Sequence, residues 1–169
     1  MNRALPGVRL RVPTDEDAVT WHRIFDHPEV MEYHGGRSAE LSVYEELTAR
    51  QRRHDAERGF CLWSVLDEEG RVIGFTGAQP WPHEWGAAPG DIEIGWRLAR
   101  PYWGQGYVTA AAHETLDRLR RAGVPSVVAL VAAGNERSIA VTRRLGMELE
   151  EVFTTPSSER TGHRYRLAL

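Results

Sequence analysis

The sequence predicts a mixed α/β fold of the α+β-like kind: an antiparallel run of N-terminal strands, a central parallel pair, and helices on both faces of one sheet. Three observations predict it. Phe60 to Leu66 and Arg71 to Ala78 are apolar runs separated by Asp67-Glu68-Glu69-Gly70, the signature of a hairpin. Asp91 to Leu98 reads as a strand that leads through Trp103-Gly104-Gln105-Gly106-Tyr107 into a helical run ending at Arg121. Ser126 to Ala132 is nearly continuous apolar sequence, the mark of a strand covered on both faces.

The remaining elements follow in order. Val8 to Val12 alternates apolar and basic residues, as a half-buried strand does. Thr14 is placed to cap a helix running to about Phe25, with Asp17 three residues on in a capping-box arrangement. Asp26-His27-Pro28 breaks that helix, and a short segment through Val30-Met31 ends at Gly35-Gly36. A second helix starts near Ser38 or Ser42 and reaches Arg58. Pro80 to Gly90 is a long loop carrying Trp81, His83, Glu84 and Trp85, and loops of that length in a compact domain are often functional. After the glycine turn, Ala111, Ala112, Thr115, Leu116 and Leu119 line one helical face, and Gly123 and Pro125 end the helix. Asn135 opens a short helix from Glu136 to Leu145, closed by Gly146; Met147 to Phe153 and His163 to Leu169 form a last strand pair.

Length and composition narrow the function. The 169 residues suit one domain, 1–169. No apolar run approaches the roughly 20 residues needed to span a bilayer, so a cytoplasmic protein is expected. The single cysteine, Cys61, excludes a disulfide framework and reads as a small core residue. The net charge of -3 argues against a protein built mainly to neutralise nucleic-acid phosphate. All 21 basic residues are arginine, so no lysine-based phosphate loop is possible. No histidine spacing supports a metal site, and no metal is expected.

Three constellations carry chemistry. A glycine turn that opens a helix leaves amide N–H groups without helical partners and adds the positive end of the helix dipole, which together suit phosphate. Gly104 and Gly106 would equally serve a tight turn alone. Asn135 is a natural N-cap, which puts Ser138 at the third helical position, at the end of the strand neighbouring the glycine turn. Such neighbouring helix N-termini border the crevice where open α/β sheets bind ligands. Strand alternation places Asp91, Glu93, Gly95 and Arg97 on one face. Glu93 there can serve as a general base, or form a solvated ion pair with Arg97.

At these residues the chain resembles the GNAT acetyltransferase superfamily, and within it the RimJ/RimL-like branch. Three stretches carry the resemblance: Val8 to Asp17 with Asp26 to Met31; Glu93-Ile94-Gly95-Trp96 through Trp103 to Tyr107; and Asn135-x-x-Ser138 with Arg144-Leu145-Gly146-Met147. The family's Arg/Gln-x-x-Gly-x-Gly/Ala motif falls on Trp103-x-x-Gly106-x-Val108, with Val108 bulkier than the pattern.

The resemblance implies acetyl-CoA as donor and a primary amine as acceptor, joined by direct attack in a ternary complex. It implies that backbone groups of Trp96, Arg97 and Leu98 pair with the pantetheine arm, that N–H groups from Trp103, Gly104, Gln105, Gly106, Tyr107 and Val108 hold the pyrophosphate, and that Asn135 and Ser138 face the pantetheine and the thioester sulfur. An ammonium cannot attack, and an α-amino group of pKa ~8 is far more often neutral at pH 7 than a lysine of pKa ~10.4. Glu93 is the first candidate for the base, with His83 or Glu84 as the second. The acceptor site is expected between the Asp26 to Gly36 segment, with Tyr33, and the Trp81–Trp85 loop. Its aromatics and acids (Glu29, Glu32, Glu84) suit a cationic or aromatic amine. The aromatic loop could also serve a homodimer. Two other readings stay open: a CoA-binding module without catalysis, and an RNA-associated protein using the arginine clusters at 50–53 and 118–121.

Overall fold

The computed structural model describes residues 3–169. One seven-stranded sheet runs β1 (Arg9–Arg11), β2 (Leu62–Leu66), β3 (Val72–Pro80), β4 (Ile92–Leu98), β5 (Ser126–Ala132), β7 (Thr161–Ala168), β6 (Glu148–Thr154) from edge to edge. Every neighbouring pair is antiparallel except β4 and β5. The mixed sheet expected from the sequence is therefore present, with its parallel pair at the centre. The last two strands do not follow in line: β7 inserts between β5 and β6, pairing from Ser126↔Ala168 to Ala132↔Gly162.

Helices cover both faces. On one, α1 (Asp15–Ile24), α2 (Pro28–Met31) and α3 (Leu41–Arg58) bury Trp21, Phe25 and Tyr44 against Leu62 and Phe75. The start of α1 follows from the expected box: Thr14 Oγ1 accepts from the Asp17 amide at 3.3 Å, and Asp17 Oδ2 accepts from the Thr14 amide at 3.0 Å. Asp17 also takes two bonds from Arg11 (2.6 and 3.0 Å) and one from Ser64 (2.7 Å), which ties α1 to β1 and β2. Burial would raise its pKa; these donors, Arg11 foremost, hold it below the usual carboxylate value instead.

On the other face lie α4 (Tyr107–Arg121) and α5 (Glu136–Arg144). The helical stripe Ala111, Ala112, Thr115, Leu116, Leu119 is buried, as its spacing predicts. Cys61 is fully buried in the same core, and burial pushes its thiol pKa up, which leaves it an inert core residue. Among the described residues no helix is long and apolar enough to cross a membrane.

Candidate active site

The site begins where the sheet fails to stay paired. β4 and β5 share a single bridge, Glu93↔Val128, and then run on without pairing to each other, while β4 stays paired to β3 and β5 to β7. Their C-terminal halves splay apart and leave backbone groups without sheet partners. A cleft of about 740 Å³ opens there. Its walls include Trp96, Arg97 and Leu98 of β4, the turn from Trp103 to Val108, and Asn135 and Ser138 at the start of α5, with Tyr33 beside α2. Residues that are distant in sequence are thus brought to one place.

The turn before α4 leaves a run of backbone amides free at the helix N-terminus. Gly104 and Gly106 have φ of +75° and +89°, values that side-chain-bearing residues rarely adopt. The first helical bond is Ala110 N–H to Gly106 O at 3.0 Å, and the amides of Gly104 to Thr109 have no backbone partner among the described residues. Trp103 differs from expectation: its amide is bonded to Arg100 O (3.2 Å), because Arg100–Tyr102 forms a 3-10 turn. Its indole N–H takes the Leu98 carbonyl at 2.8 Å, so that carbonyl is committed as well. The guanidinium groups of Arg100 (4.7 Å) and Arg137 (4.1 Å) both pack on the Trp103 ring, and Glu29 of α2 pairs with both. Glu29, one of the acids expected to attract a cationic acceptor, is therefore engaged. Val108 is partly buried against the core and also borders the cleft.

At the α5 corner, Asn135 Oδ1 accepts from the Ser138 amide (3.4 Å), the expected cap. Ser138 Oγ in turn accepts from Trp96 Nε1 at 3.1 Å. With an indole donor on its lone pair, the hydroxyl keeps its own proton to give into the cleft. Tyr33 donates to Gly134 O at 2.8 Å and closes the segment after α2 over this corner. The Trp96–Ser138 contact was not foreseen. A Trp N–H that must find a partner near the sheet's end is a weak signal of it.

Glu93 sits at the vertex of the split, on the α1/α3 face, and not on the cleft wall. It does not pair with Arg97. Gln79 Nε2 approaches its Oε2 at 3.4 Å, Gln51 Nε2 donates to Gln79 Oε1 at 2.8 Å, and Gln51 Oε1 accepts from the Leu62 amide at 2.9 Å. This chain of amides fixes the carboxylate without supplying a positive charge. Burial, only partly offset by Gln79, pushes the Glu93 pKa up to about 7. Gln79 and Gln51 had no sequence signal, since the two lie on β3 and α3 and meet only in the fold.

Residues 81–85 of the long loop do not line this cleft. Trp81, His83 and Trp85 form a ring cluster with centroids 4.9 to 5.2 Å apart, and Trp85 packs against Phe153 of β6. Arg164 of β7 holds Gly86 O at 2.8 Å. The loop thus covers the β5–β7–β6 half of the face that carries Glu93. His83 and Glu84 are exposed and are not brought to the cleft wall.

Residues 8–148 match the family model described as the acetyltransferase (GNAT) domain, and the chain belongs to that family. It is an acetyltransferase. Uncharacterized protein YkkB of Bacillus subtilis is 33% identical over 151 residues, 86% of this chain and 84% of that protein. L-methionine sulfoximine/L-methionine sulfone acetyltransferase of Pseudomonas paraeruginosa is 29% identical over 107 residues, 62% of this chain and 61% of that one. The solved structure of yncA from Salmonella typhimurium, with its cofactor acetyl-CoA, superposes with a TM-score of 0.74 at 18% identity, covering 96% of this chain and 94% of that one. That likeness shows the shared fold.

Proposed function

We propose that this acetyltransferase takes its acetyl group from acetyl-CoA and gives it to a primary amine, with both held in one ternary complex, and that it belongs to the RimJ/RimL-like branch. The observation that carries the reading is the run of unpartnered amides from Gly104 to Thr109 beside the β4–β5 split. Such a run at the start of a fifteen-residue helix fits a diphosphate. The free strand edges beside it fit an extended amide-bearing arm, and arginines 100, 137 and 144 on the cleft wall add positive charge.

Bound acetyl-CoA would supply the acyl thioester. This chain's residues would do the rest. Glu93, with a pKa near 7, takes a proton from the acceptor's ammonium and leaves a neutral amine at the vertex of the split. The Ser138 hydroxyl, oriented by Trp96, donates a hydrogen bond at the position of the leaving sulfur. Asn135 holds the first turn of α5 so that this hydroxyl faces the cleft.

Calorimetry with CoA, and thiol release from acetyl-CoA in the presence of an amine panel, test the reading. Binding followed by amine-dependent thiol release is expected. No heat on mixing overturns it, and binding without thiol release to any amine marks a CoA-binding module instead.

A further inference from the structure

We infer that the acceptor carries a carboxylate, and that the guanidinium of Arg97 binds it. The inference deepens the acceptor reading above and rests on it.

Arg97 belongs to β4, on the face that carries Glu93, and it lines the cleft together with Tyr33 and His34. Its guanidinium lies 5.3 Å from the ring centres of both Phe25 and Phe75. Its Nε is buried and bonded to nothing among the described residues. The polar neighbour that supports its charge is the phenol of Tyr44; no carboxylate does so. The Tyr44 hydroxyl itself is directed at Met31 Sδ (3.9 Å), and Asp26, which acts on Tyr44, accepts a hydrogen bond from Ser38. Burial, and then the charge of Arg97, push the nearby His34 down to a pKa of about 3, so that ring stays neutral and does not compete for an anion.

A buried cation of this kind is costly unless something pairs with it. Aromatic faces offset part of the cost and hold the plane still. The planar fork is then preset for two parallel bonds to a carboxylate. Between Arg97 and Glu93 stands Gly95, which adds no side chain; the space above it is bounded by Leu62 Cδ2 and Glu93 Oε1, at 3.7 and 3.8 Å from where a Cβ would sit. Four residues of strand separate the two Cα atoms by about 13 Å, and Glu93 Oε1 reaches over Gly95 into that interval, while the Arg97 guanidinium stands at its other end between Phe25 and Phe75. An acceptor that sets its carboxylate on Arg97 and its amine toward Glu93 is a small amino acid or a close analogue. A polyamine or an aminoglycoside has no group for Arg97.

Initial rates with acetyl-CoA and a panel of the L-amino acids, each beside its own amide, test this. The best acids are expected to exceed their amides in kcat/KM by about a hundredfold. Arg97→Met should collapse that ratio toward one, through KM, and Arg97→Lys should restore part of it. Amides used as well as acids, a preference that survives Arg97→Met, or amines without a carboxylate as the sole acceptors would each overturn the inference. So would a loss of CoA affinity in Arg97→Met with the acid preference intact. If Arg97→Met fails to fold, the acid-to-amide ratio of the wild-type enzyme decides. Absence of CoA binding, or of thiol release to any amine, would instead bring down the earlier reading.

Discussion

Replacing Glu93 by glutamine removes one ionisation and keeps the shape. In the folded protein the Glu93 pKa is raised from 4.5 to about 7. The folded state therefore holds this proton more tightly than the unfolded chain does. The wild type is at its best, as far as this group is concerned, below the unfolded value, and loses stability as pH rises through about 7. A displacement of that size corresponds to about 3 kcal/mol once pH exceeds 7. Glu93→Gln escapes this loss, because its amide carries no charge and can still accept from Gln79. Denaturant unfolding of both proteins at pH 5 and pH 8 should show the variant's advantage growing by about 2 to 3 kcal/mol over that interval. The same substitution should cost about a hundredfold in kcat and abolish the rise of rate with pH near neutrality. A stability difference that does not change with pH would mean that Glu93 titrates like an ordinary surface acid, and its assignment as base would fall with it.

The other substitutions act on separate parts of the molecule. Ser138→Ala should slow turnover about three- to tenfold with little change in donor KM, since a thiol of pKa near 8.5 needs little help to leave; steady-state kinetics equal to wild type would remove Ser138 from the reaction. Gly106→Ala forces a left-handed φ of +89° on a side chain whose Cβ would meet Leu5 and Pro6 at 3.2 Å. A penalty of about 1 to 2 kcal/mol should appear in unfolding stability, and a turn that relaxes out of this geometry should bind CoA roughly tenfold more weakly in calorimetry. Asp17→Asn breaks the link of Arg11 and Ser64 to α1 and should lower unfolding stability by about 2 kcal/mol at neutral pH. Because the folded pKa of Asp17 is depressed, its contribution is present above the unfolded value of 3.8 and is lost as pH falls through the folded one, so the gap between wild type and variant should narrow in acid.

Local rules made much of this molecule legible from its residues. The Thr14–Asp17 box, the hairpin around Asp67 to Gly70, the buried stripe of α4 and the glycine turn each depend on neighbours within a few positions, where spacing translates directly into geometry. The free-amide turn before α4 and the Asn135–Ser138 corner belong to this group, because a cap and a turn are made by adjacent residues. The sequence alone thus determined where the two helix N-termini stand beside the central strands and which strand carries Glu93.

Tertiary structure decided the rest. The insertion of β7 between β5 and β6 depends on long-range pairing, which alternation within a strand does not specify. The splay of β4 from β5 after one bridge makes the cleft, yet both strands read as ordinary strands. Gln51 on a helix holds Gln79, 28 positions away on a strand, against Glu93, and only that enclosure lifts the pKa of a plain acidic residue to about 7. Arg97, two residues from a glycine and four from that acid, looked like its ion-pair partner; its guanidinium packs against Phe25 and Phe75 instead, beside the Tyr44 phenol and with no carboxylate partner among the described residues. Burial and charge environment arise from everything folded around a residue, so no local window contains them.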